Sequence, residues 1–257
     1  MNYHLVVDIG NTNIVIGIYT DGALVNVWRL KTDASKTEDE YYVLIAALLA
    51  EKGIKLKEIS KSALASVVTK LTSTFLRFSE KYLSCKMISV DGYTDLGLSF
   101  PVKDPGFIGA DLIVNAYAAV EKYKTNCLIC DLGTASTIQL AGADKYFYGT
   151  VIAPGMMISA QSLFKEASML SKISLATPPA ILGTNTQDAL RSGIIFGNAF
   201  MIDAFLKYIR LQYRQLGEIK SIVTGGMAAL ISDLTEEIDV IDVNLTLEGL
   251  EFVCNKF

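Results

Sequence analysis

Apolar residues fill Leu5, Val6, Val7 and Ile9, and apolar positions resume at Ile14, Val15 and Ile16. Asp8 ends the first run, and Gly10, Asn11, Thr12 and Asn13 separate the two. Short apolar runs bounded by turn residues predict buried strands, here a strand, a tight turn and a return strand. The pattern comes back at Leu128, Ile129, Cys130, Asp131 and Leu132, then Gly133-Thr134, then Ala135 to Ile138. A hairpin with the same chemistry in each half predicts a duplicated fold.

The segments between alternate in period. Asp21-Gly22 is a turn signal, and a strand is expected from Leu24 to Leu30. Thr37 and Glu40 have capping-box spacing, and Leu44, Ile45, Leu48 and Leu49 give the helix that follows an apolar face. Strands are expected at Ser62–Val68 and Met87–Val90, with a helix from about Thr72 to Leu83 between them. Asp91–Gly106 reads as a loop, and it delivers Gly109-Ala110-Asp111 to a helix running to about Tyr123, with Asp111 where an N-cap belongs. In the second half, strands are expected near Gln139–Ala141, Tyr146–Ile152, Ser221–Thr224 and Val240–Asp242. Helices are expected from Met157 to about Leu170, from Thr184 to about Leu216, briefly after Gly226, and from Leu247 to Cys254. Gly193 and Gly197 lie four apart on the longest helix, which lets another backbone approach closely. Strands alternating with helices indicate an α/β layer fold. With no Gly/Ser linker, the boundary between halves is placed in packed structure near Asn115–Asn126, giving domains 1–118 and 119–257, the last helix being free to pack back on the first.

Composition narrows the function classes. The 257 residues are 51% hydrophobic and 19% charged, enough for a sizeable core. A net charge of -4 argues against nucleic acid, whose phosphates need a basic face. No apolar run approaches the ~20 residues of a spanning helix, so no membrane partner is expected. Met1 leads into the first strand without a basic stretch or cleavage site, so a cytoplasmic location is expected. Cys127 and Cys130 form a C-x-x-C inside a strand-like run, where positions three apart point to opposite faces. With no second pair and His4 the sole histidine, neither a zinc site nor a histidine-based triad is expected.

Three glycine-bearing turns follow apolar strands, at Gly10, Gly133 and Gly225-Gly226. None fits the Walker A or G-x-G-x-x-G spacing. Glycine lets main-chain N–H groups reach phosphate oxygens without a Cβ in the way. The hydroxyls of Thr12 and Thr134 can add hydrogen bonds, and Asp8 can hold water on a Mg²⁺ that bridges phosphates. Gly225-Gly226 suits the flat approach of an adenine or ribose. The duplicated pair with a later strand-Gly-Gly resembles the actin, sugar kinase and Hsp70 superfamily. That resemblance implies two ribonuclease H-like (actin-like) domains, each a mixed sheet flanked by helices, with a nucleotide in the cleft between them. Phosphoryl transfer needs alignment, charge neutralisation and a proton acceptor. Without a usable histidine a carboxylate is the natural base. Asp111 is the best-placed candidate; Asp131 is either the base instead or a cation ligand.

The whole chain resembles the type III pantothenate kinases. The matching motifs are DIGNTN (Asp8–Asn13), KTEDEY (Lys36–Tyr41), GAD with IVNAYAA (Gly109–Ala119), DLGTAST (Asp131–Thr137), APGMMISAQSL (Ala153–Leu163), GTNTQDALRSG (Gly183–Gly193) and TGG (Thr224–Gly226). The resemblance implies ATP-dependent phosphorylation of pantothenate, the first step of coenzyme A synthesis. It implies that Asp8, Ile9, Gly10, Asn11, Thr12, Asn13, Ile14 and Val15, with Thr134, bind ATP and its Mg²⁺. By the same resemblance Asp111 takes the proton of the pantothenate hydroxyl, Asp131 ligates a monovalent cation (K⁺ or NH₄⁺), Gly109, Ala110 and Thr186 line the pantothenate pocket, and the protein is a homodimer. Two positions depart from the family pattern. Leu112 stands where the family has an arginine suited to a carboxylate, and Phe100 stands where many members have a tyrosine. Both fall on the acceptor side. They admit two other readings: a nucleotide-binding accessory or regulatory relative, and a kinase of a different hydroxyl acceptor.

Overall fold

The apolar run at the N-terminus forms β1 (Tyr3–Ile9), whose central residues Leu5, Val6 and Val7 are buried in succession rather than alternately. A strand buried on both faces needs cover on both, and helices supply it. The computed structural model describes residues 2–166 and 174–257. β1 turns into β2 (Asn13–Thr20) and then β3 (Ala23–Lys31), an antiparallel meander. Helix α1 (Glu38–Glu51) leads to β4 (Ile59–Ser66), and α2 (Thr69–Tyr82) leads to β5 (Met87–Ser89). β4 pairs parallel to β1, and β5 parallel to β4, so the sheet order is β3-β2-β1-β4-β5. The capping box at Thr37 and Glu40 is formed in both directions, which places the start of α1 where the spacing predicts it.

The second half repeats this plan. β6 (Asn126–Leu132), β7 (Ala135–Ala141) and β8 (Phe147–Pro154) form a meander, and β7 unites the repeat with the strand expected at Gln139–Ala141. Helix α3 (Ala110–Tyr123) precedes β6. Helices α4 (Met156–Glu166) and α5 (Thr186–Gln212) follow β8, then β9 (Ile219–Thr224), the one-turn α6 (Ala228–Ile231), β10 (Val240–Ile241) and α7 (Leu245–Lys256). The order β8-β7-β6-β9-β10 matches the first sheet strand for strand, including two parallel pairings at one end. The sequence extends α4 to about Leu170, and residues 167–170 lie outside the described residues.

The chain divides into two compact units. The first comprises Met1–Leu98, Val102–Ala118 and Leu245–Phe257, and the second Ser99–Pro101 and Ala119–Asn244. The first has its core between the sheet and α1 and α2, where Tyr41, Phe75 and Phe78 are fully buried. The second has its core around Leu128, Ile195, Ile202 and Leu206. The sequence puts no spanning helix in the chain, whereas α5, at 27 residues, is long and apolar enough to cross a membrane by length and composition. Its inner face (Ile194, Ile195, Ile202, Leu206) packs into the second core, as a core helix does.

Helix α7 packs on β1, β4 and β2. His4 Nδ1 lies 2.9 Å from a Glu251 carboxylate oxygen, and Asn255 donates to the same carboxylate. Cys254 completes a cluster of metal-ligand types, but the imidazole and carboxylate are occupied with each other. Gly249 lets α7 cross α3 closely: a Cβ there would meet Val114 Cγ1 at 2.7 Å and Val114 O at 2.8 Å. Gly249→Val is therefore expected to destabilise the fold by ~1–3 kcal/mol. Thermal unfolding checks this, and an unchanged melting temperature would mean the helices part freely.

Candidate active site

In the first unit the β1–β2 turn is pinned from three directions. Asp8 pairs with Val15 and Ile9 with Ile14. Gly10 N–H donates to Asn13 O at 2.9 Å, the Thr32 hydroxyl donates to Gly10 O at 2.6 Å, and Thr32 N–H donates to Thr12 O at 3.0 Å. Asn11 and Thr12 stay exposed at the tip, and Asp8 is half-buried. The turn backbone is thus held in place while Asn11 and Thr12 remain exposed at its tip.

Because β4 runs parallel to β1, the two strands end together. Ile9 lies opposite Ser66, and Val67 N–H donates to Ile9 O at 3.0 Å. The loop after β4 opens α2, and here a pocket of about 480 Å³ begins. One wall is formed by the hydroxyl-bearing residues Ser66, Thr69, Thr72 and Ser73, of which Ser66 and Thr72 donate to Val68 O. Ser89, Val90 and Asp91 follow from the end of β5, and Gly106 to Ala110 close the far side. The pocket therefore runs from the residue bonded to Ile9 to the residue preceding Asp111.

The loop that carries Gly109 is tied down by its own side chains. Tyr93 OH donates to Asp104 Oδ1 at 2.5 Å, and Gly106 N–H donates to the same oxygen at 2.9 Å. The Tyr93 hydroxyl holds the Asp104 carboxyl below the usual carboxylate range. Gly92 is buried against the Pro105 backbone, where an added Cβ would lie 2.1 Å from Pro105 O. Ile113 N–H donates to Gly109 O at 3.1 Å, so Gly109 caps α3.

This corrects the sequence reading of Asp111 as the N-cap. Asp111 lies within the first turn, and its Oδ1 accepts from Leu112 N–H at 2.9 Å. A Cβ on Gly109 would stand 2.4 Å from that oxygen, so a glycine cap makes room for the carboxylate. Burial pushes the Asp111 carboxyl above its ordinary pKa, against the opposing pull of the backbone N–H groups of Leu112 and Asp111 itself. A carboxylate raised by burial, one residue beyond the pocket-lining Ala110, has the kind of shift a general base uses.

The second unit holds the matching turn. Asp131 pairs with Thr137 on β7 and Thr224 on β9, and Gly133 N–H donates to Ala135 O at 3.0 Å. Gly225 has φ +92°, and a Cβ on it would lie 2.6 Å from Asp131 Oδ1 and 2.7 Å from Leu132 N. Gly155 is packed as tightly on the turn, 2.4 Å from Thr134 O by the same construction. Asp131, Thr134 and Gly225 are thus brought together at the strand ends, with Gly226 exposed beside them. Thr186 is the first residue of α5, capped by Asn185, whose side chain accepts from Asp188 N–H at 2.9 Å. Phe100 packs on Phe147 at 5.8 Å between ring centroids. Cys127 and Cys130 are free and buried in β6, which pushes both thiols up to about 12.

Residues 4–208 match the family described as type III pantothenate kinase. The type III pantothenate kinase of Halalkalibacterium halodurans is 40% identical over 252 residues, covering 98% of both chains. The chain belongs to the type III pantothenate kinase family. Similarity to solved structures supports the fold. Component A of (R)-2-hydroxyglutaryl-CoA dehydratase from Acidaminococcus fermentans has a TM-score of 0.57 at 13% identity, covering 99% of this chain and 96% of that one. An archaeal actin homolog has a TM-score of 0.52 at 13% identity, covering 99% of each chain. The two sheets and their flanking helices are the duplicated actin-like fold.

Sequence reasoning singled out the two turns, Gly109, Ala110 and Asp111; the pocket lining adds Ser66, Thr69, Thr72, Ser73 and Ser89, which it did not single out. In the sequence pattern Ser66 and Ser89 fall in expected strands, Thr72 and Ser73 at the start of an expected helix, and Thr69 between. The signal that could have found them is the topology: a loop after a strand parallel to β1 must sit beside the β1 turn. Leu112 is 7% exposed and packs into the fold at the start of α3.

Proposed function

We propose that this protein transfers the γ-phosphoryl group of ATP to the primary hydroxyl of pantothenate, giving 4′-phosphopantothenate, the first step of coenzyme A synthesis. The observation that carries the reading is the pocket running from beside the β1–β2 turn to the residue before Asp111. The turn residues Asp8 to Val15, with Thr134 and the Gly225-Gly226 pair, are assigned to ATP. Asp111 takes the hydroxyl proton while the hydroxyl oxygen attacks phosphorus in line with the departing ADP oxygen. Gly109 and Ala110, which line the pocket, are assigned to the acceptor together with Phe100 and Thr186, which lie outside its lining; Leu112 beside them serves as packing.

Mg²⁺ accompanies ATP and neutralises phosphate charge; Asp8, half-buried at the end of β1, would hold its water. Asp131 is assigned the monovalent cation, because its carboxylate lies in a cradle that a Cβ on residue 225 would fill. A homodimer is proposed through the outer face of α5. Gly193, Gly197, Phe200, Ala204, Tyr208 and Leu211 recur there at helical spacing and are all exposed. Light scattering that gives a monomer mass would end that assignment.

Purified protein with ATP, Mg²⁺, K⁺ and pantothenate should form 4′-phosphopantothenate. Its complete absence would overturn the reading. One observation favours a second acceptor class: among the described residues lining the pocket there is no Lys or Arg. A carboxylate there meets no guanidinium, and the hydroxyls of Ser66 and Thr72 already donate to Val68 O. A hydroxyl-acceptor panel that ranks a neutral compound above pantothenate would support that class.

A further inference from the structure

The pocket is closed on one side by a residue the proposed reaction does not yet use. Phe107, two residues before the capping Gly109, lines it and is 73% exposed. Its backbone is held from both sides. Asp104 accepts from Tyr93 OH and Gly106 N–H, and Ile108 N–H donates to Pro105 O at 3.0 Å. Gly92 abuts Pro105 from below. These contacts fix the turn beneath the exposed ring. The wall carrying Ser66, Thr69, Thr72 and Ser73 is rich in hydroxyls, whereas Phe107, Val67, Val90 and Ile108 give the pocket apolar surface. Val67 is also 37% exposed.

We propose that Phe107 is a specificity-determining residue: its ring folds onto the apolar segment of the bound acceptor, and the acceptor is selected by an apolar face beside its hydroxyl rather than by a cation at position 112. This rests on the acceptor occupying this pocket. Pantothenate fits the description, since the carbon next to its primary hydroxymethyl group carries two methyls. A large exposed aromatic ring gains by being covered. The effect belongs to acceptor binding alone, because no atom of the ring takes part in proton or phosphoryl transfer.

Steady-state kinetics on Phe107→Ala and Phe107→Leu tests this. Phe107→Ala should raise the pantothenate KM about tenfold, in keeping with the loss of most of a buried aromatic contact. The ATP KM and the melting temperature should stay near wild type, because an exposed ring holds no core together. Phe107→Leu should restore most of the affinity by keeping an apolar cover. An unchanged pantothenate KM in Phe107→Ala overturns the proposal while leaving the kinase reading intact. A matching rise in both KM values together with a lowered melting temperature also overturns it, by making Phe107 structural. A wild-type protein with no activity on pantothenate overturns the kinase reading first and this inference with it.

Discussion

Asp111→Asn is expected to lower kcat by ~10²–10⁴-fold, the usual contribution of a positioned general base. The amide keeps the shape and can still accept from Leu112 N–H, which the carboxylate does at 2.9 Å. It cannot take a proton. Burial raises the Asp111 carboxyl above its ordinary pKa, so the fold favours the protonated form. That contribution to stability is present below the usual carboxylate range and is lost as pH rises through the raised value. Near neutrality the folded state carries a charge it would do better without. The asparagine variant should therefore melt at the wild-type temperature or slightly above it. The same shift sets the acid limb of the wild-type pH–rate profile. Activity falls as pH drops through the Asp111 pKa, and that limb lies above the range of an exposed aspartate. Single-turnover kinetics and a thermal melt decide the matter. A variant with most of its activity would leave Asp111 as a first-turn helix residue and nothing more.

Gly92→Ala should be the second large effect, although Gly92 is not assigned to touch any substrate. Its Cβ would stand 2.1 Å from Pro105 O, 2.4 Å from Pro105 C and 2.9 Å from Gly106 N. These are backbone atoms, so no side-chain rotation relieves the clash. The turn Pro105–Phe107 must shift, and Gly109, Ala110 and Asp111 follow it directly in the chain. Misplacing reacting groups by ~1 Å can cost 10²-fold in rate. A loss of about 10- to 100-fold in kcat/KM for the acceptor is expected, with a lower melting temperature from the displaced turn. Nucleotide affinity, measured by calorimetry, should change little, because the β1–β2 turn is held by Thr32 and not by this loop. A variant with wild-type acceptor kinetics would mean that the loop does not position Asp111.

Much of this was legible in the chain alone because it is local. The turn at Gly10, its counterpart at Gly133 and the capping box at Thr37 are written in residues close together, where backbone preference and hydrogen-bond reach decide the outcome. The start of α3 shows where local reading stops. Asp111 has good N-cap chemistry, yet Gly109 takes the cap, because the carboxylate needs the space a glycine leaves. Position 112 teaches the same lesson. Sequence marks Leu112 as a lost cation, whereas the fold places it 7% exposed, as packing.

What the sequence determined by itself was the repeated strand–turn–strand, the alternation of strands and helices, and the placing of Asp111 at the start of a helix. These follow from the order of apolar and polar residues along a short stretch. What only the tertiary structure decided was which segments meet. Ser66 lies opposite Ile9 because β4 pairs parallel to β1, 57 residues later in the chain for those two ends. Ser66, Ser73, Ser89 and Phe107 share one pocket because the ends of β4 and β5 and the starts of α2 and α3 come together. No local pattern encodes that meeting, since it depends on sheet register and helix packing summed over the whole first unit.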